Sequence, residues 1–83
     1  MYFVYILKTS GNTLYIGQTS NLNRRLAEHR EKSPKSAKYI RYFDSFELVY
    51  SEIFKTRSEV MKRESQLKKL TRRQKEDLLR LNK

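Results

Sequence analysis

The stretch that decides the fold is Tyr2-Phe3-Val4-Tyr5-Ile6-Leu7-Lys8, then Thr9-Ser10-Gly11-Asn12-Thr13, then Leu14-Tyr15-Ile16-Gly17-Gln18-Thr19. Residues 2 to 8 are almost all β-branched or aromatic and set apolar side chains on both alternating faces. That is the pattern of a central strand covered above and below. Leu14 to Thr19 reads as a second strand, and Gly11 and Asn12 between them tolerate the positive φ of a hairpin turn. Two loop lengths fit. With a loop of Gly11-Asn12, Tyr5 and Tyr15 fall on opposite faces; with Ser10-Gly11-Asn12 they share one face and Tyr5 lies across from Gly17. In the second case two phenols converge beside a glycine that leaves space for a ligand. A tyrosine pair in a small sheet also serves as plain core.

Beyond the hairpin, Leu22, Leu26 and His29 recur at helical spacing, with Ser20 or Asn21 as N-cap. The helix is predicted to fade near Lys32, ahead of Ser33-Pro34. Ser33 to Ala37 reads as a short polar loop, and Tyr39 to Phe46 either as irregular chain or as the approach to a strand. Phe46 to Phe54 is the third predicted strand. Thr56 with Glu59, and Thr71 with Gln74, form capping boxes that open two further helices. The expectation is a single α/β (α+β) domain over residues 1–83, a small three-stranded antiparallel sheet flanked by helices, in the order β-β-α-β-α-α.

Composition narrows the function. The chain has 83 residues, 19 Lys+Arg against 9 Asp+Glu, and a net charge of +10. Residues 55 to 83 alone carry 11 basic and 4 acidic side chains. Cysteine is absent and His29 is the lone histidine, which excludes disulfides, thiolate metal sites, a Cys nucleophile and any histidine-cluster metal centre. The apolar N-terminus lacks a basic region ahead of it and reads as a strand rather than a signal peptide. No apolar run approaches 18 residues, so no membrane span is expected. A cytoplasmic protein with this charge is expected to meet a polyanion, most simply nucleic acid.

Three residues sit on faces that should be buried. Arg25, three residues after Leu22 and one before Leu26, borders the apolar stripe of the first helix, and His29 follows four residues later on the same side. Glu64 falls four residues after Val60, three after Met61 and three before Leu67, on the inner stripe of the second helix. A carboxylate there is costly unless paired or metal-bound. Glu52, near the end of the third strand, is a candidate second carboxylate beside it. Singly, these residues read equally as a snorkelling arginine, a satisfied core histidine and a structural ion pair.

Together they resemble a known family. Phe3-Val4-Tyr5, then Tyr15-Ile16-Gly17, Arg25 ten residues after Tyr15, His29 fourteen after it and Glu64 on a later helix resemble the GIY-YIG nucleases over almost the whole chain. The similarity is greatest to small stand-alone members, akin to the nuclease module of the excinuclease subunit UvrC and of certain homing endonucleases. Phe3 and Val4 stand where the name-giving Gly and Ile would be, while Tyr5 is kept.

The resemblance implies a metal-dependent endonuclease acting on DNA in repair or processing, with RNA as an alternative substrate. It implies that Glu64 binds Mg²⁺ or Mn²⁺, an ion that keeps most of its water, and that Arg25 forks onto the phosphate oxygens. Tyr15 then orients or deprotonates the attacking water, and Tyr5 supports it by a hydrogen bond or a phosphate contact. A phenol, with a reference pKa of about 10, is a poor base unless neighbouring cations lower it; Arg25, the metal and His29 are the cations within reach. His29 is expected to relay a proton or hold the phosphate. Gly17, Arg24, Lys68, Lys69, Arg72 and Arg73 are the expected nucleic-acid contacts, made by a monomer or weak homodimer. Two other readings compete: a binding module that lacks catalysis, and a helix-turn-helix regulator formed by Thr56 to Lys83. The last helix, with Arg72, Arg73, Lys75 and Arg80 but few side chains suited to base edges, favours phosphate over sequence readout.

Overall fold

The structure is a computed structural model that describes residues 1–31, 40 and 42–81. The expected Ser33 to Ala37 loop and the start of the Tyr39 to Phe46 segment lie outside the described residues. Strands β1 (Tyr2–Thr9), β2 (Leu14–Thr19) and β3 (Phe46–Phe54) form an antiparallel sheet in the order β2-β1-β3. Helices α1 (Leu22–Arg30), α2 (Arg57–Lys68) and α3 (Arg72–Leu81) complete the predicted α+β order.

β1 is central because its side chains alternate between two cores. Val4 and Ile6 pack with Ile16, Val60 and Leu67, with Leu78 and Leu79 of α3 against them. Tyr5 and Leu7 face the other way, onto Leu26 and Ile40, with Tyr15, Leu22 and Phe46 alongside. α1 therefore covers one face of the sheet, and α2 and α3 the other.

The hairpin takes the longer loop. Tyr5 pairs with Gly17 and Lys8 with Leu14, the amide of Thr9 donates to Thr13 O at 2.9 Å, and that of Asn12 to Thr9 O at 2.9 Å. This is a turn over Thr9 to Asn12 closed by a residue in the left-handed region. Asn12, at φ 61°, fills that role, while Gly11 has no positive φ. Gly11 serves closeness instead: a Cβ there would sit 2.5 Å from the Phe43 ring.

The pairing of β1 with β3 is shifted between Ile6 and Leu7, a bulge that steps over Val49. An unbroken strand would put Phe46 and Phe54 on one face. The bulge sends Phe46 to the tyrosine side and Tyr50 and Phe54 to the aliphatic side.

The helix starts follow their caps. Asn21, not Ser20, caps α1, its side chain accepting from the Arg24 amide at 3.1 Å. The helix ends at Arg30 with Glu31 as C-cap, slightly short of Lys32. Thr56 and Glu59 satisfy each other's amides, as do Thr71 and Gln74 at 2.9 and 3.2 Å. Each removes two otherwise unpaired N–H groups from a helix start.

Candidate nuclease site

The odd loop brings Tyr5 and Tyr15 onto one face, under α1. Their ring centroids are 6.4 Å apart, and the His29 ring lies 6.1 Å from Tyr5 and 6.0 Å from Tyr15. Gly17, opposite Tyr5, makes this possible. A Cβ at Gly17 would lie 2.5 Å from the Tyr5 hydroxyl and 3.1 Å from the Tyr15 ring. The sequence suggested that the glycine leaves room for a ligand; that room is filled by the Tyr5 phenol.

Tyr5 and His29 are each 1% exposed. The Tyr5 hydroxyl and His29 Nε2 are 3.1 Å apart. Burial, first, and the charges of Tyr15 and Glu64 push the Tyr5 phenol up to about 12, against the opposing pull of Arg25. Burial, then the Arg25 charge, pushes His29 down to about 4. At neutral pH the phenol therefore keeps its proton and is hydrogen-bonded to a neutral imidazole. His29 is not one of the cations that could activate Tyr15.

Arg25 sits at the edge of this core with its side chain 24% exposed. Burial works against its charge, but hydrogen bonds to the Tyr5 oxygen and to Glu28 outweigh it and its pKa rises. The hydrogen-bonded chain runs from Arg25 to Tyr5 to His29. It fixes the guanidinium at one end while the other end opens on a cleft of about 260 Å³ lined by residues 18–21, Arg24, Arg25 and Glu28.

Glu28 was not singled out in the sequence. It holds Arg25 Nη1 at 3.2 Å and Arg24 Nε at 3.5 Å. The available signal was its spacing, three and four residues after two arginines on one helix.

Glu64 is carried by α2. Its side chain is 21% exposed and pairs with Lys68 Nζ at 3.6 Å, and its charge is near enough to act on Tyr5. Met61, expected on the same inner stripe, is 48% exposed. Glu52 does not join Glu64. It takes two hydrogen bonds from Arg63, at 2.8 and 3.0 Å, and a third from the Tyr50 hydroxyl. Burial opposes the Glu52 charge, but these donors hold its pKa below the ordinary carboxylate range. It is a structural pair on the aliphatic face.

A single half-buried carboxylate suits a hard ion that keeps several waters and takes the rest of its ligands from substrate phosphate. Among the described residues no group of three or more His, Cys, Asp and Glu side chains could form an all-protein metal cage. No described helix is long and apolar enough to cross a membrane. Of the expected nucleic-acid contacts, Arg24, Lys68, Lys69, Arg72 and Arg73 are exposed, Lys68 paired with Glu64 and Arg72 with Glu76.

Comparison with known proteins gives the family. Residues 1–77 match the GIY-YIG catalytic domain. The chain is 42% identical over 78 residues to a UPF0213 protein of Natronomonas pharaonis, covering 94% of this chain and 89% of that one. To one from Clostridium perfringens it is 43% identical over 79 residues, covering 95% and 83%. The solution structure of the UPF0213 protein of Bacillus halodurans superposes with a TM-score of 0.63 at 38% identity, over 98% of this chain and 85% of that one. A solution structure from E. faecalis gives 0.65 at 38% identity, over 96% and 83%. The chain belongs to the GIY-YIG family, a nuclease family, alongside the small UPF0213 proteins.

Proposed function

We propose that the protein is a divalent-metal-dependent DNA endonuclease, acting in the cytoplasm in repair or processing as a single domain. The observation that carries this reading is the gathering of Tyr15, Arg25 and Glu64 around the buried Tyr5. Hydrolysing a phosphodiester needs a base or orienting group for water, a cation on the phosphate and a site for a metal ion.

Arg25, permanently charged and braced by Tyr5 and Glu28, grips the phosphate oxygens and aligns the phosphorus with the attacking water. Tyr15, half-buried beside a cleft, orients that water and takes its proton. Tyr5 stays protonated and acts through Arg25 and His29 rather than on the substrate. Glu64 would hold Mg²⁺ or Mn²⁺, which when bound supplies positive charge to the phosphate oxygens. Lys68 now occupies Glu64 and would give way to the ion. Arg24, Lys69, Arg72 and Arg73 bind flanking phosphates without reading bases, so the enzyme selects DNA by structure more than by sequence.

The test is cleavage of plasmid, branched and single-stranded DNA in Mg²⁺ and in Mn²⁺, beside EDTA, Glu64→Ala and Arg25→Ala. Cleavage that disappears in EDTA and in both variants is the expected result. Cleavage that survives Glu64→Ala removes the assigned metal ligand. Salt-sensitive DNA binding without cleavage favours the non-catalytic binding module.

A further inference from the structure

β2 is an edge strand, and a cleft lies at each of its ends. At the far end is the cleft of residues 18–21, Arg24, Arg25 and Glu28, where two arginines share one carboxylate and leave a net positive charge. At the near end Leu14, Tyr15 and Ile16 line a second cleft of about 250 Å³ whose opposite wall is Lys68 of α2 and Lys75 of α3. Tyr15 belongs to this second cleft and Arg25 to the first, so the candidate site lies between two cationic troughs that share one strand.

Lys75 differs from the other lysines of the last two helices. It is half-buried where Lys62, Lys68 and Lys69 are exposed, and no carboxylate among the described residues pairs with it. Its charge is directed to the wall of a trough instead of being neutralised within the protein. From Tyr15 to Gln18 the strand rises about 10 Å, and one DNA strand carries a phosphate per roughly 3.4 Å of helix axis. A backbone followed over that length passes more than one phosphate, so both troughs can hold phosphates of one strand.

We propose that the DNA strand to be cut runs along the outer edge of β2, held at one end by Arg24 and Arg25 and at the other by Lys75 with Lys68. Lys75 is then a substrate-binding residue that sets which way the strand crosses the site. The proposal rests on the nucleic-acid reading above and goes beyond it in naming the track and the residue. Lys68, while paired with Glu64 at 3.6 Å, lines the same trough as Lys75.

The test is the salt dependence of binding to a fluorescein-labelled 20-base-pair duplex in EDTA, where no cleavage intervenes. Lys75→Gln is compared with Lys55→Gln, which removes the same charge at the β3 side of the sheet, and with Lys75→Arg. The expected result is that Lys75→Gln weakens binding and lowers the slope of log K against log salt by about 0.9, while Lys55→Gln and Lys75→Arg leave the slope near that of the unmutated protein. Equal slopes for Lys75→Gln and Lys55→Gln overturn the track, as does the absence of salt-dependent binding by the unmutated protein. Should Lys75→Gln fail to fold, a lowered slope in Lys75→Arg overturns the charge-based role, and a retained slope together with weakened binding in Lys68→Gln upholds the trough. A Lys75-specific change with no cleavage in Mg²⁺ would leave the track standing and remove the nuclease reading; Arg25-dependent cleavage with no Lys75-specific change would do the reverse.

Discussion

The two faces of one strand are built to different ends. Val4 and Ile6 of β1 point into an aliphatic core completed by Ile16, Val60 and Leu67, while Tyr5 and Leu7 point into a core that also holds His29 and is edged by Tyr15 and Arg25. On the aliphatic face each side chain stabilises by leaving water. On the tyrosine face buried polar atoms stay tolerable only because they satisfy one another, Arg25 donating to Tyr5 and Tyr5 sharing a hydrogen bond with His29. The difference teaches that stability is concentrated under α2 and α3, and that the face under α1 gives some of it up to hold a guanidinium and a phenol in place.

The largest effect should come from breaking the aliphatic side. Leu67 is fully buried, and Leu67→Ala is expected to cost about 2–5 kcal/mol, a large share of the stability of so small a domain. Urea unfolding gives the loss, and the cleavage rate per folded molecule should stay near that of the unmutated protein.

The tyrosine side should reveal itself by pH. His29 takes a proton at about 6.5 when unfolded but only at about 4 when folded. Its contribution is therefore full above pH 6.5 and is lost as pH falls toward 4, by on the order of 3 kcal/mol. Urea unfolding at pH 7.5 and at pH 4.5 should show this loss in the unmutated protein and a smaller one in His29→Gln. The same acid loss in both would place the titration elsewhere.

Gly17 joins the faces through β2. Gly17→Ala forces a methyl group against the Tyr5 hydroxyl, and overpacking of this kind costs about 1–3 kcal/mol. Because the clash falls on Tyr5, cleavage should fall by more than the stability loss explains, which comparing the initial rate with the folded fraction would show.

The regular elements of both faces were legible in the sequence. The alternation of β1, the spacing of Leu22, Leu26 and His29, and the two capping boxes each follow from a local rule, and the elements stand where those rules put them. The hairpin register did not follow, because Gly11-Asn12 suits either loop by itself. Among the contacts found at the longer loop are the Phe43 ring packed over Gly11 and the Ser10 amide donating to Ser45 O at 2.9 Å. Those partners come from more than thirty residues away. The β3 bulge was likewise silent, since Phe46 to Phe54 reads as one strand and only the pairing with β1 shows the step over Val49. At the site, residue types betrayed Arg25, His29 and Glu64 by their misplacement. They did not show that His29 would be a neutral partner of Tyr5, or that Glu52 would be taken by Arg63. Those roles depend on burial and on which cation arrives first, and neither is written in spacing.

The smallest structural change gives the most direct test. Tyr15→Phe keeps the ring beside His29 and removes one hydroxyl, so it should cost no more than about 1 kcal/mol of stability. Nicking of supercoiled plasmid in Mg²⁺ by the folded variant should nevertheless fall by about 10²-fold or more, the scale of a lost general base. A stably folded Tyr15→Phe that nicks at the unmutated rate would contradict the claim that the tyrosine face is where the chemistry happens.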